Sequence, residues 1–524
     1  MRVVSSAQMR GIETAAAAEI GLPTLLMMEN AAVRLTEHCL AYLKDNCGHS
    51  GHIRGQKGKP IVTIMAGIGG NGGDGLALAR HLYLKGADVS VFIVGDIGKV
   101  RGDTFTNLEI IRKMGLPVES IPLGDNIGKV PQALESSDLV VDALFGAGLN
   151  RHVEGSLERI IEMINRYAGY VISVDMPSGV SADTGQILGA AVKADVTVTL
   201  GFPKIGLMIY PGAAYAGRVE IADICLPYLS NALTETDTSI FTDAEMKSCL
   251  PVRAPRTNKG SFGRVYAFTG SAGMPGAAVL SAAAAYRSGA GYVCACVVPD
   301  VARVIHGGLK EAVTRILPDR GGYFCPKSLD AVSDELSRAD VVYVGPGIGQ
   351  GAHVTEFVHN LLESVNTRMV IDADALNAIA ENVNILKSLK APCVITPHPG
   401  EMSRLTKLPV SDILGNTLKV AGEFAREFDV ITVLKDARTI VASPEGNNYI
   451  NVTGCPALAK AGTGDVLTGV IAGFMAQGLD SFTAAAAGAY IHGKAGELAG
   501  ERLSGYGVLA SDLLDYIPEV LNRY

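Results

Sequence analysis

This sequence lacks features that mark many secreted and membrane proteins. Its nine cysteines include no Cys-x-x-Cys pair, and it has no run of about 18 uncharged apolar residues. Its first residues carry no apolar core of the kind found in a signal peptide. These absences argue against a secretory leader and a membrane span. We therefore expect a reduced, cytoplasmic protein with no membrane partner.

An excess of positive charge is also missing, because the formal net charge is −8. That balance argues against a nucleic acid or an anionic membrane as the main partner. Anionic ligands would have to bind at local backbone sites instead. Glycine, at 61 of 524 residues, exceeds the average of ~7% without forming a repeat. Tight turns between strands and helices account for such an excess.

The chain is long enough for ~2 to 4 domains. In both halves, short apolar runs typical of buried strands alternate with helical segments. This order predicts an α/β protein with two doubly wound domains. A polar, Ser/Thr-rich segment, PYLSNALTETDTSI, separates the halves. We therefore expect a first domain over residues 1–228, a linker over 229–240 and a second domain over 241–524.

The second half is organised around Gly454–Gly473, whose centre is AGTGD at 461–465. Two glycines flank a threonine just before a run with helical apolar spacing, which predicts a phosphate site at a helix N-terminus. Asp465 would repel a phosphate, so it fits a general base for a substrate hydroxyl or a ligand to Mg²⁺. The alternative is that Asp465 only caps the helix and the glycines only form a turn.

Polar residues mark three predicted strand ends in the first half, and they include Asn71, Asp74, Asp142, Asp175 and Ser178. Ligands bind at the carboxyl ends of parallel strands, so these side chains should meet at one edge. Asn71, Asp142 and Ser178 offer oxygen ligands to a cation. Asp74 or Asp175 could perform acid–base chemistry. The alternative, that each residue only caps the following helix, is weakened because three strand ends share the pattern.

Predicted strands of the second half also end in glycine, polar or charged residues. In chain order these ends read GPGIG, DADALN, TPHPGE and KDART, followed by AGTGD. His398 lies between prolines, which suits a rigidly held imidazole that hydrogen-bonds a ligand. Lys435 and Thr439 could contact phosphate oxygens. A solvated surface side chain is the plainer interpretation of each residue alone, but the ordered set argues against it.

The first half contains GGNGGDG, VDALFGAGL and VDMPSG in that order, and over roughly residues 1–225 it resembles NAD(P)H-hydrate epimerase. The resemblance implies a Rossmann-like three-layer sandwich in which Asn71, Asp142 and Ser178 hold K⁺. Gly70 stands where the family usually has an asparagine, which weakens a substrate contact rather than the ion site. The residues implied to contact the hydrated coenzyme are Gly70, Asn71, Gly72, Gly73, Asp74, Gly146, Ala147, Gly148, Leu149, Asn150, Arg151, His152 and Asp175.

The second half, over roughly residues 240–524, resembles the ribokinase-like group. Within that group, TPHPGE and AGTGDVLTG are typical of the ADP-dependent NAD(P)H-hydrate dehydratases. At 457–460 this chain has ALAK, where the family more often has Gly-Met-Ala and a small or polar residue. The implied contacts to the hydrated coenzyme are Ala277, Gly347, His398 and Asp465. The implied contacts to the adenine nucleotide are Lys435, Asp436, Ala437, Arg438, Thr439 and Gly464.

Together the two resemblances imply a bifunctional repair enzyme for the hydrated coenzymes NADHX and NADPHX. In the implied reaction the first domain interconverts the R and S epimers, with Asp175 nearest the reacting hydroxyl. In the second domain Asp465 deprotonates the hydroxyl of the S epimer, which attacks ADP, and elimination restores the reduced coenzyme. Mg²⁺ is expected with the nucleotide, and we expect a homo-oligomer. The alternative is a ribokinase-like small-molecule kinase with an N-terminal nucleotide-binding module.

Overall fold

The computed structural model describes residues 1–47, 58–124, 127–226 and 237–524. Contacts divide the chain between Thr236 and Asp237, and Met1 joins the second unit. Most of the predicted linker, 229–240, lies outside the described residues, and Thr238–Ser239 near its end is a strand of the second unit. Within the ranges given above, no helix has both the length and the hydrophobicity needed to cross a membrane.

The first unit is built on a parallel sheet. After a two-residue strand, β1 (Arg2–Val3), its strands are β2 (Ile61–Ala66), β3 (Asp88–Val94), β4 (Val118–Ile121), β5 (Leu139–Ala143), β6 (Val171–Val174), β7 (Val196–Leu200) and β8 (Arg218–Ala222). The spatial order of the seven-stranded sheet is β4-β3-β2-β5-β6-β7-β8. The chain therefore changes its direction across the sheet between β2 and β5. In a doubly wound sheet, the ligand crevice opens at this switch point.

Two separate cores cover the two faces of this sheet. Along β2, Val62, Ile64 and Ala66 pack into one core, whereas Met65 packs into the other. The alternation follows from the two-residue period of a strand. The first core also holds apolar residues from the helices of residues 6–47 and 70–113, and the second holds those of residues 130–167. This arrangement confirms the predicted three-layer, Rossmann-like sandwich.

Helices flank and connect the strands of the first unit. They are α1 (Ser6–Glu19), α2 (Thr24–Cys47), α3 (Gly70–Leu84), α4 (Gly102–Lys113), α5 (Val130–Ser136), α6 (Ser156–Tyr167), α7 (Ile205–Met208) and α8 (Gly212–Ala216). The helix α3 begins at Gly70, inside the glycine-rich stretch GGNGGDG. A Cβ on Gly72 would lie 1.8 Å from the carbonyl oxygen of Gly67. The glycines thus let the first turn of α3 pack onto the strand-end loop.

The second unit carries a larger sheet that is only partly parallel. Its strands are β9 (Thr238–Ser239), β10 (Arg264–Phe268), β11 (Tyr292–Val297), β12 (Val313–Ile316), β13 (Val341–Val344), β14 (Arg368–Ile371), β15 (Cys393–Ile395), β16 (Ile431–Leu434), β17 (Ile440–Ala442) and β18 (Asn448–Ile450). They lie in the order β9-β18-β17-β16-β15-β14-β13-β10-β11-β12. The strands from β12 to β16 are parallel, whereas β17 pairs antiparallel with both β16 and β18. The sequence patterns did not reveal β17 and β18, which are three residues long.

Helices cover this sheet, and α19 lies at the centre of the unit. They are α9 (Asp243–Cys249), α10 (Pro275–Arg287), α11 (Pro299–Gly308), α12 (Pro326–Asp330), α13 (Ser333–Leu336), α14 (Ala352–Ser364), α15 (Ala373–Ile379), α16 (Pro399–Thr406), α17 (Val410–Gly415), α18 (Thr417–Phe428), α19 (Thr463–Ala476), α20 (Ser481–Leu503) and α21 (Leu513–Leu521). Gly469 brings α19 against α10, because a Cβ there would lie 2.1 Å from the carbonyl oxygen of Ser281.

Replacing Gly469 with alanine should therefore destabilise the second unit. The added methyl group meets backbone, which cannot rotate away, so we expect a loss of ~1–3 kcal/mol in the free energy of unfolding. Gly415→Ala is the matched control, since a Cβ there meets nothing within 4 Å. Urea denaturation of both variants measures the difference. Equal stability of the two variants would contradict the packing described for α19 and α10.

Candidate active sites

A cavity of about 770 Å³ opens at the switch point of the first unit, at the carboxyl ends of β2 and β5. Its wall includes the loop after β2, the loop after β5 and part of α1. The cavity brings together most of the coenzyme contacts expected in this half. Those that line it are Gly70, Asn71, Asp74, Gly146, Ala147, Gly148, Leu149, Asn150, Arg151 and Asp175.

The remaining expected contacts in this half are placed differently. A Cβ on Gly73 would lie 2.6 Å from the terminal methyl group of Met28, so Gly73 serves the packing of α3. Gly72 serves the same packing against the strand-end loop. The exposed His152 follows the wall residue Arg151 but does not line the cavity. Of the coenzyme contacts expected in this half, only the residues that line the cavity are placed to touch a ligand there.

Asp175 is held rigidly at the base of the cavity. Its φ of 65° is unusual for a residue other than glycine. Its Oδ1 accepts hydrogen bonds from Lys204 Nζ and, at 3.2 Å, from the Leu200 backbone N–H. Its Oδ2 accepts the Ala147 N–H at 3.1 Å. Lys204 is 1% exposed, so its ammonium and the Asp175 carboxylate form a buried ion pair.

Two further carboxyl groups, those of Asp74 and Glu13, line the same cavity. Burial, followed by the nearby charges of Asp175 and Glu13, raises the pKa of Asp74 well above its usual range, although Lys204 opposes the change. Burial also raises the pKa of Glu13, and Lys204 opposes that change as well. One ammonium thus faces three carboxyl groups. Such a set can hold a proton at neutral pH, as acid–base catalysis requires.

The expected cation site lies beneath the loop after β5. Asp142 is fully buried, and its Oδ1 accepts the Ser178 hydroxyl at 2.5 Å while its Oδ2 accepts the Ser178 N–H at 2.8 Å. Ser178 Oγ in turn accepts the Phe145 N–H at 2.9 Å. Asn71 lies beside the next residue of that loop, because a Cβ on Gly146 would be 3.0 Å from Asn71 Oδ1. The structure thus brings the three expected cation ligands to one loop.

Oxygen atoms in this cluster are of the kind that ligate hard cations. Asn71 Nδ2 is buried without a hydrogen-bond partner among the described residues. Turning the amide over would place its oxygen at that position, where a cation could meet it. Burial raises the pKa of Asp142 in spite of its hydrogen bonds. A cation beside Asp142 would favour the ionised carboxylate.

Sequence reasoning did not find Lys204 and Glu13. Lys204 follows β7, which is a fourth strand end, so the strand-end pattern that revealed Asp175 could have revealed it. Glu13 lies on α1, whose sequence shows no motif. Only the packing of α1 beside the loop after β2 brings Glu13 to the cavity.

In the second unit, the AGTGD turn forms the N-terminus of α19 as predicted. Gly462 precedes the helix with a φ of 92°, which favours glycine. The Thr463 hydroxyl donates to the carbonyl oxygens of Leu458 and Lys460 at 3.0 and 2.9 Å. His492 Nε2 lies 2.9 Å from the Thr463 carbonyl oxygen. Burial lowers the pKa of His492 to about 4, so the ring is neutral and donates this hydrogen bond.

Asp465 lies in the first turn of α19 with an unusual pKa. Burial, followed by the charge of Asp372, raises it to about 7, and Lys435 opposes this rise. A carboxylate with such a pKa is well matched to accept a proton near neutral pH. Lys435 also faces the turn, since a Cβ on Gly464 would lie 3.5 Å from its Nζ. An ammonium and free helix N–H groups at one point make a site for phosphate.

The other expected nucleotide contacts lie in the turn from β16 to β17, which follows Lys435. Thr439 Oγ1 donates to the Asp436 carbonyl oxygen at 3.4 Å, and Arg438 donates to the carbonyl oxygen of Val452. Asp436 and Ala437 are exposed. These residues therefore directly follow Lys435, whose side chain faces the AGTGD turn.

His398 is the N-cap residue of α16. Its Nδ1 accepts hydrogen bonds from the N–H groups of Gly400 and Glu401 at 3.0 and 3.3 Å. Burial, followed by the charges of Lys435 and Arg404, lowers the pKa of His398. The ring is therefore neutral, with its proton on Nε2, and this half-exposed edge can donate to a ligand.

Two expected coenzyme contacts, Ala277 and Gly347, touch each other across the sheet edge. Gly347 follows β13 with a φ of 62°, and a Cβ on it would lie 2.8 Å from the Cβ of Ala277. Ala277 itself lies in the first turn of α10. Gly347 therefore lets the loop after β13 pack closely against the first turn of α10. Within the described residues, no group of three or more His, Cys, Asp or Glu side chains could hold a metal ion.

Comparison with known proteins gives the same two halves. The family description "NAD(P)H-hydrate dehydratase" matches residues 265–519, and "YjeF-related protein N-terminus" matches residues 24–206. Bifunctional NAD(P)H-hydrate repair enzymes of Moorella thermoacetica and Thermofilum pendens are 40% and 35% identical. The alignments cover 100% and 99% of this chain and 97% and 96% of those proteins. A solved ADP/ATP-dependent NAD(P)H-hydrate dehydratase from Bacillus subtilis is 31% identical over 54% of this chain and 97% of its own, with a TM-score of 0.47.

Two α/β units, each with acidic groups gathered at the carboxyl ends of its parallel strands, are typical of enzymes that act on small molecules. The identities over nearly the whole chain specify this class further: the chain belongs to the family of bifunctional NAD(P)H-hydrate repair enzymes.

The raised pKa of Asp465 can be tested directly. Carbon-detected NMR of protein with ¹³C-labelled aspartate should show an Asp465 carboxyl signal that titrates at about 7. Asp465→Asn identifies the signal by removing it. Since the folded pKa lies above the usual value, the group binds a proton as the pH falls through 7, well before other exposed aspartates. A signal for Asp465 that titrates near 4 would contradict the described burial.

Proposed function

We propose that the first unit interconverts the R and S epimers of NADHX and NADPHX, and that the second unit dehydrates the S epimer with ADP as phosphoryl donor. The observation that carries the proposal is Asp465. It is a carboxylate with a pKa of about 7, placed at a helix N-terminus beside Lys435. Both a kinase and a dehydratase that uses a phosphoryl donor need a base beside the phosphate site. Of the two, the family to which the chain belongs favours the dehydratase.

In the proposed dehydration, Asp465 accepts the proton of the substrate hydroxyl as its oxygen attacks the terminal phosphoryl group of ADP. Lys435 and the N–H groups around Gly464 stabilise the charge that develops on the transferring group. As the new P–O bond forms, the bond between the two phosphorus groups of ADP breaks and AMP leaves. Inorganic phosphate then leaves the ring in place of hydroxide, and loss of a ring proton restores NADH or NADPH. Mg²⁺ would arrive on the nucleotide phosphates and neutralise part of their charge.

The coenzyme is proposed to lie between His398 and the wall formed by Ala277 and Gly347. His398 Nε2–H would donate a hydrogen bond to it, since the Nδ1 atom is already occupied by backbone N–H groups. Lys435, Asp436, Ala437, Arg438, Thr439 and Gly464 are proposed to bind the adenine nucleotide.

In the first unit, Asp175 is proposed to lie nearest the reacting C6 hydroxyl, because it lines the cavity while Lys204 holds its Oδ1. Asn71, Asp142 and Ser178 are proposed to hold K⁺ and so to order the loop after β5. The loop carries the wall residues from Gly146 to Arg151. A bound cation thereby shapes the coenzyme site without entering the reaction.

Several broader expectations are retained as proposals. The domains are proposed to span residues 1–228 and 241–524, joined by a linker over 229–240. The protein is proposed to be cytoplasmic and homo-oligomeric, and to bind neither nucleic acid nor membrane. The net charge of −8 supports the proposal that neither nucleic acid nor an anionic membrane is a partner.

Asp465→Asn should abolish dehydration and leave epimerisation intact. The amide cannot accept the hydroxyl proton, so we expect a loss of at least ~10²-fold in kcat for the S epimer. Recovery of NADPH from S-NADPHX is followed by absorbance, and the R-to-S exchange is followed by chromatography on the same sample. Gly415→Ala serves as the control that leaves both activities unchanged. Retained dehydration in Asp465→Asn would remove Asp465 from the mechanism, and a stable phosphorylated product would favour the kinase alternative.

Epimerisation should depend on K⁺. We expect its rate to rise with K⁺ concentration at constant ionic strength, with tetramethylammonium as the inert salt, because only a small cation can enter the Asp142 cluster. Asp142→Asn should weaken this dependence, since the ion loses a charged ligand, and should leave dehydration unchanged. A rate that stays constant across the titration would rule out a functional ion at this site.

A further inference from the structure

We propose that Asp372 is a positioning residue that fixes Lys435 against the phosphate-binding turn of the second unit. This inference rests on the proposed dehydratase function. The two carboxylate oxygens of Asp372 have different partners. Oδ1 accepts Lys435 Nζ at 2.8 Å, and Oδ2 accepts the Thr468 hydroxyl at 2.6 Å. One side chain therefore ties together the ends of β14 and β16 and the helix α19.

The side chain of Asp372 makes these contacts instead of capping the helix that follows it. Asp372 is the N-cap residue of α15, where an aspartate normally accepts a backbone N–H of the first turn. Here the side chain makes no capping hydrogen bond. The next residue, Ala373, has a φ of 48°, which is unusual for an alanine. The local conformation thus aims the carboxylate at Lys435 rather than at its own helix.

The charge of Asp372 is fully buried, so its partners must compensate it. The side chain is 1% exposed and that of Lys435 is 20% exposed. Burial opposes the ionised form of Asp372, yet the charge and hydrogen bond of Lys435 lower its pKa. The charges of Asp372 and Glu401 raise the pKa of Lys435, although its burial opposes this rise. Removing one member of such a pair leaves the other as an uncompensated buried charge.

The position of Asp372 affects both parts of the phosphoryl-transfer site. Thr468 lies one turn after Asp465 on α19, so its hydrogen bond to Asp372 fixes the segment that carries the base. Lys435 Nζ is held within reach of Gly464, where the transferring phosphate would bind. The negative charge of Asp372 also favours the protonated form of Asp465. The charged groups that face Asp465, Lys435 and His398 across this site are Asp372, Asp374, Glu401 and Arg404.

Asp372→Asn in the full chain tests the proposal, with two readouts. Binding of ADP with Mg²⁺, measured by calorimetry, should weaken at least ~10-fold, because Lys435 is no longer held in place. The acidic limb of the pH dependence of kcat/KM for S-NADPHX should move to lower pH by about one unit, since a neighbouring negative charge is lost. Epimerisation by the same sample should be unchanged, which shows that the first unit is intact.

Two matched variants separate charge from geometry. Thr468→Val removes one hydrogen bond but keeps every charge, so it should weaken ADP binding ~3-fold and leave the acidic limb in place. Asp372→Glu restores the charge, and the acidic limb should return to its original pH. These two variants carry the test if Asp372→Asn does not fold.

The outcomes distinguish this proposal from the proposed function. A lower rate at every pH with the acidic limb unmoved in Asp372→Asn would reduce Asp372 to a structural role and overturn the proposal. Unchanged ADP affinity in that variant would overturn it as well. If the unaltered protein binds ADP but does not dehydrate S-NADPHX, the proposed function fails and the calorimetry still decides the role of Asp372. An unaltered protein that binds no adenine nucleotide would overturn both.

Discussion

The buried ion pair between Lys435 and Asp372 is the interaction on which the second unit's site depends. It places a positive charge at the N-terminus of α19, where the glycine turn leaves backbone N–H groups free for a phosphate. It also places a negative charge near Asp465, whose pKa rises to about 7 as a result of burial and that charge. This one contact thus affects both the charge at the proposed phosphate site and the pKa of the proposed base, Asp465.

The first unit has a similar arrangement with different residues. Lys204 is buried against Asp175, while burial and the neighbouring charges raise the pKa of Asp74. In both units a lysine compensates one carboxylate at a strand end, beside a second carboxyl group whose pKa is raised. The two sheets differ in size and strand order. The common arrangement follows from the need to keep one carboxylate charged beside another that exchanges protons.

The sequence predicts that motifs far apart in the chain meet at one edge of each sheet, because parallel strands end there. It could not show which strand-end residues would pair. Asp372 lies 63 residues before Lys435 and occupies a position where an aspartate normally caps a helix. Glu13 reaches the cavity only through the packing of α1. The start of α3 at Gly70 also cannot be read from helix propensity, because isolated helices disfavour glycine whereas close packing against the strand-end loop requires it.

The most direct test of both proposed activities follows the absorbance of reduced nicotinamide. A mixture of R- and S-NADPHX is incubated with the protein, K⁺, Mg²⁺ and either ADP or ATP, and spontaneous epimerisation is subtracted. If both proposed activities are present, NADPH is recovered in full, with ADP as the preferred donor. Recovery that stops at the S fraction would contradict the role given to the first unit, and no recovery with either nucleotide would contradict the role given to the second.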